Sequence, residues 1–88
     1  MNEESLTKKA RDRGVPEHMI DGFVRYIMHR TPHVGSFMRA VLENDLKGSF
    51  AHADHINRYR LFEIVNFLYN DAPLECWGSK EKVEAWIK

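Results

Sequence analysis

The sequence predicts an all-α fold: a small compact bundle of about four helices with an extra short N-terminal helix. Two observations carry this. Apolar residues recur at three- and four-residue spacings in successive segments, and no stretch shows sustained period-two alternation or a hairpin signal such as Asn-Gly. The segments are divided by short breaks carrying proline, glycine or a capping residue, which favours antiparallel neighbours. Eighty-eight residues make one domain, and a chain this short buries only about 60–65% of its unfolded surface, so the core is small. Residues 15–88 are expected to form that domain, with 1–14 a flexible or short helical segment.

Residues 3–13 read as a polar helix with little apolar anchorage, stopped at Gly14, the residue type that tolerates a left-handed helix end. Pro16 suits a helix start, Glu17 complements the positive end of the helix dipole, and Met19, Ile20, Phe23, Val24, Ile27 and Met28 then share a face. This predicts a helix over about 16–30, in which Gly22 marks a close approach by another backbone. The run Thr31-Pro32-His33-Val34-Gly35 ends it.

With Ser36 as cap, Phe37, Ala40, Val41, Leu42, Leu46, Phe50 and Ala53 predict one helix over about 36–51, weakest at Gly48-Ser49. Asp54 or Asn57 then caps a helix reaching about Tyr69, with Leu61, Ile64, Val65 and Leu68 as its inner stripe and Phe62 and Tyr69 alongside. Asn70-Asp71-Ala72-Pro73 ends that helix, and Ser79 caps a last one over about 80–87 through Val83, Trp86 and Ile87. The cluster FLYNDAPLECWGS, residues 67–79, is expected to be a structural corner: Pro73 stops a helix, Gly78 permits a reversal and Trp77 covers one end of the core.

Composition narrows the function classes. Lys+Arg and Asp+Glu are both 13, and residues 1–47 and 48–88 are each nearly balanced, which weighs against nucleic acid because duplex binding draws on a basic face. The group Lys8, Lys9, Arg11 and Arg13 is diluted by Glu3, Glu4 and Asp12. No apolar run approaches the ~20 residues of a membrane span, and the start MNEESLTKK lacks the apolar stretch of a signal peptide, so the expected location is cytoplasmic. A single cysteine fits a reducing compartment.

Candidate chemistry is sparse, and the chain is read as non-enzymatic. Cys76 lacks a recognisable Cys-His-Asn setting and reads as a small buried hydrophobe. His52 and His55 flank Asp54 like fragments of a metal site, but they straddle an expected helix boundary, and His18, His29, His33 or Cys76 could complete a set only through tertiary proximity. No metal or other cofactor is expected. Gly35-Ser36 and Gly78-Ser79 each put backbone amides at a helix start, which capping explains. The break near residue 35 also permits a helix-turn-helix, a small DNA-binding or regulatory module with Arg39, Glu43 and Asn44 as readers; this is the alternative expectation.

The strings GSFMRAVLENDLKGSF, ADHIN and IVNFLYNDAPLECWGSKEKVEAW resemble a family of short uncharacterised proteins encoded by tailed phages and prophages, over about residues 15–88. The residues carrying the likeness include Gly35-Ser36-Phe37, Ala40-Val41-Leu42, Asn44-Asp45-Leu46, Phe67-Leu68-Tyr69-Asn70, Ala72-Pro73 and Trp77-Gly78-Ser79. The resemblance implies a phage accessory protein and no reaction. By analogy of context it implies a protein that works by binding inside the host cell, antagonising host defence by blocking a host protein or sequestering a small signal molecule. Two groups are candidates for such a site: Asn44, Asp45, Asp54 and Asn57 around one helix junction, and Arg39, Arg58 and Arg60, whose guanidinium groups can grip phosphates or carboxylates. A homodimer is a further expectation, from small size and the supply of methionines and aromatics.

Overall fold

A computed structural model describes residues 2–88. Six α-helices follow one another with a single 3-10 turn: α1 Glu3–Asp12, α2 Glu17–His29, α3 Ser36–Leu42, α4 Leu46–His52, α5 His55–Asp71, the turn Leu74–Cys76, and α6 Lys80–Ile87. No strand occurs among the described residues. The all-α expectation holds, in a body of 29 × 28 × 20 Å.

The helix expected over 36–51 is two helices. After α3, Asn44 takes a positive φ of 62° and Asp45 starts a new helix, its carboxylate accepting from the Gly48 amide at 2.9 Å. Asparagine is among the few non-glycine residues that tolerate this conformation, so the chain turns there rather than at Gly48-Ser49, which lies inside α4. Glycine at 48 leaves the Asp45 carboxylate room to reach over the first turn. Two further expectations shift: Gly35 rather than Ser36 occupies the cap position of α3, without a side-chain bond, and Pro16 precedes α2 rather than opening it. The α5 cap is Asp54, accepting from the Asn57 amide at 2.7 Å, and the α6 cap is Ser79, accepting from Lys82 at 3.1 Å.

The weakly anchored N-terminal segment is corrected most. Leu6 and Ala10 are completely buried, and α1 packs on α2 and α5. Two apolar side chains four residues apart suffice because Gly14, at φ 88°, turns the chain back so that α1 lies along its neighbours. Arg13 Nε donates to Asp71 at 3.0 Å, tying the end of α1 to the end of α5.

The core gathers Leu6 from α1, Ile20, Phe23, Tyr26 and Ile27 from α2, Leu42 from α3, Ile64, Phe67 and Leu68 from α5, and Val83 from α6. Phe23 and Phe67 meet edge to face at 6.3 Å between centroids. Gly22 admits not a backbone but the Met38 side chain, whose Cε would stand 2.7 Å from an added Cβ. At the corner, Tyr26 Oη donates to the Cys76 carbonyl at 2.7 Å, the Gly78 amide donates to the Leu42 carbonyl at 2.7 Å, and Trp86 Nε1 donates to the Tyr26 carbonyl at 3.0 Å. Cys76 is buried within this knot, Phe67 is completely buried in the core, and Trp77 is half-buried.

Candidate interaction surface

The residues singled out for binding do not converge. α4, about 10 Å long, separates Asn44 and Asp45 at its start from Asp54 and Asn57 beyond its end. Asp45 and Asp54 spend their carboxylates on helix caps. The Asn57 amide and a hydrogen bond from His18, at 3.1 Å, hold the Asp54 carboxyl below the usual carboxylate range, the amide being the larger cause. Arg39 is engaged by Glu43 at 2.6 Å. The Arg58 guanidinium lies 5.5 Å from the centre of the Phe50 ring, and Arg60 is exposed.

Asp54 and Asn57 do share one groove of about 330 Å³, walled by Met19, Phe37, Met38 and His52. Asn57 is buried and its side-chain oxygen has no hydrogen-bond partner. That atom is closed to water, so a molecule resting in the groove would not reach it without rearrangement. A second groove, about 350 Å³, runs along the loop Thr31–Gly35 beside Met38. Burial drives the Cys76 thiol up to about 12, the opposite of an activated nucleophile. No group of three His, Cys, Asp or Glu is arranged to hold a metal ion among the described residues, and His55 packs edge-on against Tyr59 at 5.4 Å. Within α3 only Ser36 and Arg39 escape burial, which leaves few side chains for base reading. Among the described residues no helix is long and apolar enough to cross a membrane.

The largest unexplained feature is a face that the sequence reading assigned partly to the core. Phe62 and Tyr69, expected beside the inner stripe of α5, are 77% and 71% exposed, and Val65, expected within it, is also exposed. Tyr59 is 76% exposed, and on α4 Phe50 is 62% exposed with Leu46 open beside it. The helical repeat explains the grouping: at 100° per residue, positions 55, 58, 59, 62, 65, 66 and 69 fall on one side of α5, while Ile64, Phe67 and Leu68 point the other way. The Arg58–Phe50 stacking joins α4 to the N-terminal half of this face, and Leu46 joins it near Val65.

Four rings of about 200 Å² each, exposed to this degree, present roughly 600 Å² of aromatic surface, at the upper edge of the apolar patches found on monomeric proteins. A helix with large apolar residues on all sides is ordinarily covered on all sides. The signal was therefore present in the sequence as Tyr59-x-x-Phe62-x-x-Val65-x-x-x-Tyr69, a second stripe that one small core cannot absorb. Comparison of the chain with family models, with curated proteins and with solved structures finds no match.

Proposed function

We propose that this chain is a small non-enzymatic binding protein that associates with protein partners through the aromatic face of α4 and α5. The observation that carries the reading is the row Phe50, Tyr59, Phe62 and Tyr69, each more than 60% exposed on one side of the molecule. Aromatic residues supply most of the energy of protein interfaces at low entropic cost, and keeping four in water has no benefit to folding. A protein partner fits better than a small molecule because the face is broad, whereas the grooves are shallow and offer no accessible buried polar group to orient a ligand. The phage origin and a role against host defence inside the host cell rest on the sequence likeness over residues 15–88 and are part of the same proposal.

The test is to express the tagged chain in bacteria challenged with phage and to compare it with the variant carrying Phe62→Ser and Tyr69→Ser. The expected result is that the wild type recovers a protein partner in stoichiometric amount and shifts phage survival, and that the double variant, equally helical, does neither. Equal recovery by both would overturn the role of the face. Recovery of DNA or of a nucleotide alone would favour the regulatory or small-molecule readings instead.

A further inference from the structure

We infer that the face has a specific occupant, a second copy of this chain, and that the protein forms an isologous dimer in which two α5 helices cross antiparallel at Phe62. This rests on reading α4–α5 as the association surface and names the partner at it.

Three features point to self-association. The first is area. The four aromatic rings, with Leu46 and Val65 added, approach the roughly 800 Å² that each partner contributes to a stable protein interface. The second is register. A two-fold axis through Phe62 sets Phe62 against its own copy and brings Tyr59 level with Val65 and His55 level with Tyr69, so the large residues of the two stripes gather in common layers.

The third is charge. Arg58 is the one charged side chain on the stripe. Antiparallel pairing places it level with Asn66 and about 12 Å along the axis from the second copy's Arg58, a spacing set by the 1.5 Å rise. Parallel pairing would stack the two arginines. Antiparallel packing also sets the helix dipoles head to tail. With 13 basic and 13 acidic residues, two copies carry no net repulsion. In the dimer each helix packs its inner stripe into its own core and its outer stripe against its mate, which accounts for a helix apolar on both sides.

Sedimentation equilibrium across roughly 1–500 µM protein tests the idea. The wild type is expected to be a dimer at the upper end and to dissociate on dilution, while Phe62→Glu, which sets two carboxylates on the axis, weakens association at least about 100-fold with its helicity unchanged. In a parallel arm, Phe62→Cys should crosslink rapidly to a covalent dimer under mild oxidation, because only a residue on a two-fold axis meets itself. Glu84→Cys, on exposed α6, should not, and the native Cys76 is buried. A wild type monomeric at 500 µM, or a dimer that Phe62→Glu leaves intact, overturns the inference. If the chain is monomeric and Phe62→Ser with Tyr69→Ser still abolishes capture of another protein, the association face stands and only its occupant was wrong. If the chain is monomeric and that pair of substitutions changes nothing, both fall.

Discussion

The inner and outer sides of α5 carry similar loads of large apolar residues and meet different surroundings. Ile64, Phe67 and Leu68 are completely buried against α2 and its neighbours, whereas Tyr59, Phe62 and Tyr69 stand in water at more than 70% exposure. The difference shows that apolarity measures what a residue can do for a core without saying which of two stripes the core will take. Position decides it: α5 lies over α1, and over α2 through Phe67 on Phe23, on one side, and no described helix covers the other. The outer stripe is also richer in tyrosine, whose hydroxyl keeps one end content with water.

Four substitutions break or sharpen the contrast. Phe67→Ala, which removes the ring that meets Phe23, should lower unfolding free energy by about 3–5 kcal/mol, read as a fall in urea midpoint with an unchanged slope. Tyr26→Phe should cost less, about 1–2 kcal/mol, because the Cys76 carbonyl is left without its donor in a buried place; burial pushes the Tyr26 phenol upward, so no titration complicates the comparison near neutral pH.

Asp54→Ala should weaken the start of α5 by a smaller amount that depends on acid. The folded-state carboxyl is held below its unfolded value, so its contribution is complete above the ordinary carboxylate range near pH 4 and disappears as pH falls through the lowered folded value. The variant should therefore lose the part of the wild-type acid slope that lies below about pH 4, measured by thermal melts across pH 2.5–7. A slope identical to wild type would remove the cap from the account.

Phe62→Ser should change monomer stability by no more than about 0.5 kcal/mol when measured at low concentration. Its melting temperature should be independent of protein concentration, whereas the wild-type value should rise with it. A loss comparable with that of Phe67→Ala would mean that the outer stripe belongs to the core after all.

Much of the helical scaffold was legible from residue order because its signals are local. The α2 stripe, the stop at Gly14 and the caps at Asp54 and Ser79 each depend on residues within four positions of one another. The break at Asn44-Asp45 was hidden because apolar residues continue past it on helical spacing, while the turn is made by one asparagine entering a left-handed conformation. The burial of α1 was hidden for a different reason. Leu6 and Ala10 look scant, and only the return of the chain at Gly14 and the tie from Arg13 to Asp71, 58 residues away, reveal what covers them.

Of the candidate binding residues, Asp54 and Asn57 fall together because a cap couples positions three apart. Asn44 and Asp45 are parted from them by a helix that periodicity had merged with its predecessor. The exposed aromatic face was the feature least visible, since a period of 3.6 assigns residues to sides of a helix and leaves open which side is covered.

Tyr26 sits in the last turn of α2, yet both its hydroxyl and its carbonyl are engaged by residues at least 50 positions further on, Cys76 and Trp86. A growing chain therefore lacks both of these ties until Trp86 has left the ribosome, with only the Arg30 amide meeting the Tyr26 carbonyl in the meantime. The corner should close in one step once Trp86 is available rather than helix by helix, and a nascent chain stalled short of Trp86 should be open to protease.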